Sequence, residues 1–180
     1  MLLVLLGKTC SGKTTIAKEL EMKHGFHRII TTTSRPIRKG EKQDIDYHFI
    51  TEDEFLKKIN EDYFVEYKSY NTTSGTWYYG TSRYSLADLD NEKKYVIVLT
   101  PDGYRNIDVP CKSVYVYANN STIINRLKKR KDKKDSIQRR LESDNKDFKG
   151  CENIVDHIVY NNEGEDINKV AEKILKILEG

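Results

Sequence analysis

This chain has little with which to staple itself, chelate a metal or enter a membrane. Its 180 residues include three cysteines, Cys10, Cys111 and Cys151. That odd count, without metal-ligand spacing, excludes a disulfide framework and reads as reduced thiols in a cytosolic protein. The opening apolar run, Met1–Leu6, is too short for a secretory signal core or a membrane span. A dominant charge is also missing. Lys and Arg number 31 against 28 Asp and Glu, net +3, so no global field calls for nucleic acid or a membrane surface. Repeats and long linkers are absent as well. What remains is the size of one compact cytoplasmic enzyme domain carrying a small insertion, working on small molecules as a monomer or homodimer.

What is present starts at the first residues. Met1–Leu6 runs straight into Gly7-Lys8-Thr9-Cys10-Ser11-Gly12-Lys13-Thr14, followed by Thr15. This is G-x-x-x-x-G-K-T, placed after a buried strand and before a helix with Ile16, Ala17 and Leu20 on its apolar face. Its glycines let the backbone curl so that successive N–H groups face phosphate oxygens. Lys13 is suited to the β/γ-phosphates and the Thr14 hydroxyl to Mg²⁺, while the helix start directs its positive dipole end at the same anion. The pattern predicts binding of a nucleoside triphosphate along Gly7–Thr15. Cys10 is a filler position within that loop.

Along the rest of the chain, buried strands are expected at Leu2–Leu6, Arg28–Thr32, Tyr95–Leu99, Ser113–Tyr117 and His157–Val159. Helices are expected at Lys13–Lys23, Tyr84–Leu89, Thr122–Arg130, Ser136–Phe148 and Asp166–Leu178, the last with a packing face of Ile167, Val170, Ala171, Ile174, Ile177 and Leu178. Alternation of this kind predicts an α/β fold, a P-loop-type parallel sheet flanked by helices. The core domain is expected over residues 1–33 and 83–180. Residues 34–82, rich in Tyr, Thr, Gly and charge with strand-like pieces at Tyr47–Ile50 and Tyr63–Tyr67, read as an inserted mixed α/β module at the carboxyl edge of that sheet.

The insertion holds residues that a core does not need: Thr33-Ser34-Arg35-Pro36-Ile37-Arg38-Lys39-Gly40-Glu41, Asp46-Tyr47-His48-Phe49, Phe64-Val65-Glu66-Tyr67 and Tyr78-Tyr79-Gly80-Thr81-Ser82. Arginine forks bind phosphate bidentately, and a tyrosine hydroxyl adds a neutral bond to the same oxygens. A pocket carboxylate suits guanine, whose N1–H and N2–H₂ edge presents two adjacent donors. Together with the P-loop, these groups suggest a second, anionic nucleotide site.

With these blocks in order, the chain resembles the guanylate kinase family over nearly its whole length. The most specific block is T-S-R-P-I-R-K-G-E with D-Y-H-F after it; its proline follows Arg35 directly, but the Arg–x–x–Arg–x–x–Glu spacing is kept. The resemblance implies an acceptor phosphate held by Arg35, Arg38, Glu41, Tyr47 and Tyr79, and a guanine read by Glu66 with Thr31 and Thr81. It also implies a helical lid at about residues 128–140, from Arg126-Leu127-Lys128-Lys129-Arg130 to Ile137-Gln138-Arg139-Arg140-Leu141. In that lid Arg130 and Arg140 close on the transferring phosphates, Arg126 lies near the donor base, and the neighbouring lysines, Lys131, Lys133 and Lys134 among them, form a solvated surface. The family's lid Gly-Thr is Lys131-Asp132 here.

Two departures stand out. The family's D-x-D-x-Q-G after the insertion is Val98-Leu99-Thr100-Pro101-Asp102-Gly103, without either acid, and about four extra residues lie around Asn71–Gly75. Mg²⁺ is accordingly expected on Thr14, ATP phosphates and water, and Asp102 is expected to cap the next short helix. The implied activity is transfer of the ATP γ-phosphoryl group to GMP or dGMP, with Lys13, Arg130 and Arg140 stabilising the moving charge. Alternatives are a same-fold kinase with another nucleotide or phosphosugar acceptor, or a catalytically silent binding module.

Overall fold

In the computed structural model, residues 1–72, 74–130 and 134–180 are described, Lys134 and Asp135 through their backbone alone. The expectations for Lys131, Asp132, Lys133 and the Lys134 side chain lie outside the described residues. In chain order the elements are β1 (Leu2–Leu6), α1 (Lys13–His24), β2 (Phe26–Arg28), β3 (Thr32–Thr33), β4 (His48–Phe49), α2 (Glu52–Asn60), β5 (Phe64–Thr72), β6 (Gly75–Ser82), α3 (Arg83–Ala87), β7 (Lys94–Val98), α4 (Pro101–Asn106), β8 (Lys112–Tyr117), α5 (Asn120–Lys129), α6 (Lys134–Asp147), β9 (His157–Tyr160) and α7 (Ile167–Glu179). They form two compact units, residues 1–28, 92–104 and 110–180, and residues 29–91 with 105–109.

The first unit is a parallel sheet in the order β2-β7-β1-β8-β9. All five residues of β1 are buried, which is why Leu2–Leu6 is a continuous apolar run rather than an alternating one. Leu3 and Leu5 pack with Ile16, Ala17 and Leu20 of α1 and with Val170, Ala171 and Ile174 of α7, as the periodicity of both helices predicts. A smaller cluster joins Ile123 and Leu127 of α5 to Ile137 of α6, with Cys10 and Leu141 against it. Cys10 is therefore packed as well as being part of the loop.

The second unit is a mixed sheet in the order β4-β3-β6-β5. Its backbone is the β5–β6 hairpin, in which Glu66 pairs with Thr81, Tyr67 with Gly80 and Lys68 with Tyr79, with a bulge between Phe64 and Glu66. Of the extra residues around 71–75, Asn71 and Thr72 end β5 and Gly75 opens β6, with Thr72 paired to Gly75; Thr73 lies outside the described residues. Helix α2 starts at a capping box in which the Thr51 hydroxyl accepts the Glu54 N–H and the Glu54 carboxylate accepts the Thr51 N–H. It lays Phe55 on Phe64, ring centroids 4.3 Å apart, and beside Tyr78 at 5.4 Å.

Two expectations need correction. The single strand expected at Arg28–Thr32 is two short ones, because the chain leaves the parallel sheet after Arg28 and enters the mixed sheet at Thr32. The helix expected to be capped by Asp102 begins two residues earlier than that cap implies, at Pro101; the Thr100 hydroxyl accepts the Gly103 N–H at 3.1 Å, and Asp102 sits in the first turn.

Gly80 tests the second unit's core. A Cβ there would lie 2.8 Å from Phe64 and 2.9 Å from Phe55, both held in the ring stack. Gly80→Ala is expected to destabilise the protein by about 1–3 kcal/mol through overpacking. Chemical denaturation checks this, and a change inside about 0.5 kcal/mol would contradict the packing described.

Candidate functional site

Between β1 and α1 the chain folds over itself without regular pairing. Gly7 has no room for a side chain, since a Cβ would lie 2.5 Å from the Ser11 hydroxyl and 2.6 Å from the Val116 carbonyl. Gly12 has φ +103°, and a Cβ on it would collide with the Asn161 amide. Most of the loop's carbonyl oxygens are occupied. Lys13 donates from Nζ to Gly7 O at 2.5 Å and Lys8 O at 2.7 Å, Arg126 to Cys10 O at 3.0 Å, and Asn161 to Ser11 O at 2.8 Å. Helix α1 opens with no side-chain cap and no acid in its first turn, leaving first-turn N–H groups to an external acceptor. Thr14 and Thr15, at that first turn, are exposed.

Helix α6 closes on the loop from another direction. Asp144 Oδ2 accepts the Thr9 N–H at 2.7 Å, and Lys8 donates to Asn145 Oδ1 at 2.6 Å. Burial lowers the Lys13 ammonium to about 8, partly opposed by the Asp144 charge. Burial likewise raises the Asp144 carboxyl, against the pull of the Thr9 amide and Lys13. Arg130 caps the end of α5, with its N–H on Arg126 O at 3.0 Å. Arg140 stands one helical turn before Asp144 and donates from Nε to Ser136 Oγ at 3.2 Å. Arg126, expected near the donor base, is a strut between Cys10 O and Asn162 O.

The second unit gathers the remaining predicted residues. Arg35 is 2% exposed; it bridges Glu41 Oε1 at 2.9 Å and Pro36 O at 2.8 Å, with its guanidinium 5.5 Å from the Tyr47 ring centre and 5.6 Å from that of Phe49. Its Nε is buried without a hydrogen-bond partner. Glu41 also accepts the Arg38 N–H at 2.8 Å. Burial would raise the Glu41 carboxyl, but these bonds and the two arginine charges hold it below its ordinary value. Tyr79 meets Tyr47 edge-on at 6.0 Å, and burial pushes the Tyr47 phenol up. Glu66 accepts from the fully buried Thr81 hydroxyl at 2.5 Å, and burial raises its carboxyl because that bond compensates only in part. The Thr31 carbonyl accepts the His48 N–H at 2.9 Å.

Asn161, Asp144 and Asn145 were not legible beforehand. Asn161 is 2% exposed and holds the loop across 150 residues of chain, yet an asparagine following a strand gives no signal in sequence. Among the described residues no group of three His, Cys, Asp or Glu is arranged to hold a metal, and no helix is long and apolar enough to cross a membrane.

A parallel sheet whose central strand feeds this loop and helix defines a P-loop nucleotide-binding α/β protein. The sequence model of the family described as guanylate kinase matches residues 1–179. Guanylate kinase of Fusobacterium nucleatum subsp. nucleatum is 30% identical over 184 residues, covering 99% of this chain and 95% of that protein. Guanylate kinase of Helicobacter pylori is 31% identical, covering 98% of this chain and 85% of that one. The crystal structure of guanylate kinase from Anaplasma phagocytophilum superposes with a TM-score of 0.71 at 24% identity, over 99% of this chain and 84% of that chain. The chain belongs to the guanylate kinase family, a family of nucleoside monophosphate kinases.

The half-buried Glu66 makes a stability prediction. Its carboxyl is raised in the fold, so the stability it allows is fully present below the unfolded value, about 4.3, and is lost as pH rises through the folded value. Glu66→Gln keeps the acceptor for Thr81 and removes the desolvated charge. Its melting temperature is expected to exceed the wild type's at neutral pH, with the difference shrinking toward pH 4. A difference independent of pH would contradict the burial described.

Proposed function

We propose that this chain transfers the γ-phosphoryl group of ATP to GMP or dGMP, giving ADP and GDP or dGDP. The observation that carries the acceptor assignment is Glu66, a half-buried carboxylate whose described hydrogen bonding is to Thr81 alone. A guanine edge offers the two donors such a group needs, whereas an adenine edge puts a lone pair against it. The neighbouring Arg35–Glu41 pair, Arg38, Tyr47 and Tyr79 are the phosphate-holding set; Arg35 keeps the loop in shape through its bonds to Glu41 and Pro36, and its Nε–H is buried without a partner. Thr31 completes the base side.

On the donor side, ATP lies along Gly7–Thr15 with its phosphates on the loop amides and the start of α1. Lys13, now on two carbonyls, turns to the phosphates as negative charge arrives and regains its full ammonium character. Arg130 and Arg140 add charge where the phosphoryl group moves. The exposed Thr14 hydroxyl would be the protein's ligand to a Mg²⁺ arriving with the nucleotide, its other ligands coming from phosphates and water. Bound there, Mg²⁺ neutralises and orients the phosphates. No covalent intermediate is needed; alignment and charge stabilisation supply the catalysis. A reaction on the free nucleotide pool, in a chain whose three cysteines form no disulfide, fits the cytoplasm.

A kinase with another acceptor is the second reading, favoured by Val98 and Thr100 in place of acids and by the longer hairpin end. A silent binding module has no use for an intact Gly7–Thr14 cradle.

ADP release measured across the common ribo- and deoxyribonucleoside monophosphates tests the proposal. GMP or dGMP should be preferred. Glu66→Gln should lower the GMP-to-AMP ratio of kcat/KM by about 5- to 150-fold, the worth of a 1–3 kcal/mol mismatch. Arg38→Ala should weaken all monophosphates alike. Lys13→Ala should cut kcat by about 10²–10³ with GMP affinity nearly intact. An unchanged base ratio in Glu66→Gln would remove the guanine-reading role, and near-normal turnover of Lys13→Ala would remove the P-loop role.

A further inference from the structure

The loop that receives ATP in the reading above already holds an anion of its own. Asp144, on α6, accepts the Thr9 N–H across 135 residues of chain, and the adjacent Asn145 accepts from Lys8. Thr9 lies inside the G-x-x-x-x-G-K-T segment, whose amides are the groups that hold phosphate. The carboxylate is half-buried, and the positive charges bearing on it are Lys13 and Lys8, both P-loop residues. Asp147, one turn away, adds a like charge rather than a compensating one. A short charge-assisted bond to a loop amide, backed by the loop's lysines, is the set of interactions that a phosphate oxygen makes.

We propose that Asp144 is a resident competitor for the donor site, occupying a P-loop amide in the nucleotide-free protein and yielding it to the incoming triphosphate. The inference rests on the ATP-binding reading of this loop. A triphosphate brings several negative charges to the donors that Asp144 uses, and a carboxylate and a phosphate at neighbouring positions in a partly desolvated site repel strongly. The two anions therefore exchange. The cost is a weaker intrinsic affinity for ATP; the gain is a loop held in binding shape, with its amide satisfied, when no nucleotide is present. Release of Asp144 also frees that end of α6, which carries Arg140 one turn earlier, so that donor binding and the setting of Arg140 are coupled through one helix.

The test uses the full chain and two probes, inorganic tripolyphosphate and ATP, titrated calorimetrically in EDTA and again with ATP and Mg²⁺. Asp144→Asn keeps the size and an acceptor oxygen for Thr9 while removing the charge. It is expected to bind both probes about tenfold more tightly than the wild type in EDTA, by a similar factor for each, because the competitor opposes phosphates and not the base. Asp144→Glu, which keeps the charge, should show no comparable gain. Unchanged or weaker binding of both probes to Asp144→Asn would overturn the inference, and a loss confined to the Mg²⁺ titration would reassign Asp144 as a metal-side acid. If tripolyphosphate and ATP bind neither wild type nor variant, the ATP-binding reading itself fails. Should Asp144→Asn not fold, the Asp144 carboxyl ¹³C resonance of the wild type decides: it shifts on saturation with tripolyphosphate if the carboxylate is displaced, and an unmoved resonance overturns the inference.

Discussion

A phosphate cradle needs backbone amides that no helix or sheet has claimed, and a turn with unclaimed polar groups in a packed interior is unstable by default. The rest of this unit depends on how that conflict is met. The buried β1 fixes one end of the turn and α1 the other, while the carbonyls that would otherwise be orphaned are taken by Lys13, Arg126 and Asn161. Gly7 and Gly12 are glycines because Val116 and Asn161 approach too closely for anything larger. With these carbonyls bound, the loop can leave amides for an anion without collapsing.

The second unit solves a related problem with charge instead of backbone. Arg35 is almost wholly buried, which is tolerable only because Glu41, the Pro36 carbonyl and two aromatic faces surround it. Glu66 is less well compensated, and burial raises its carboxyl although the Thr81 hydroxyl and backbone both bond to it. A group kept in that state costs stability, and in the proposed function a ligand with matching donors would offset that cost. Such sites sit where function, rather than folding, sets the residue.

The sequence made the first unit legible because its signals are local. Leu2–Leu6 reads as a buried strand, and the apolar periodicity of α7 announces the face that packs. The P-loop is a contiguous pattern with a mechanism attached, whereas Arg35 and Glu41 are assigned through resemblance to a family block and not from spacing alone. What could not be read was long-range. Asn161 and Asp144 reach the loop from 150 and 135 positions away, through side chains with no distinctive neighbours. The break after Arg28 was hidden because both flanking segments are strands, and periodicity does not say which sheet a strand joins. Helix α2 did carry a signal, the Thr51–Glu54 capping box, but it buries chiefly Phe55 and so lacks a broad apolar face.

Thr100 shows how a departure from the family pattern can have a plain structural use. Its hydroxyl caps α4, so the position is committed to the helix rather than standing as an empty metal ligand. A Mg²⁺ arriving with ATP would therefore take most of its ligands from nucleotide and water. The phosphoryl-transfer proposal is tested most directly by ³¹P NMR of the wild-type protein with Mg²⁺, ATP and GMP. The ATP γ-phosphorus signal is expected to be replaced by the β-phosphorus of GDP, with ADP formed in equal amount and no inorganic phosphate. Release of inorganic phosphate, or transfer to AMP as readily as to GMP, would contradict it.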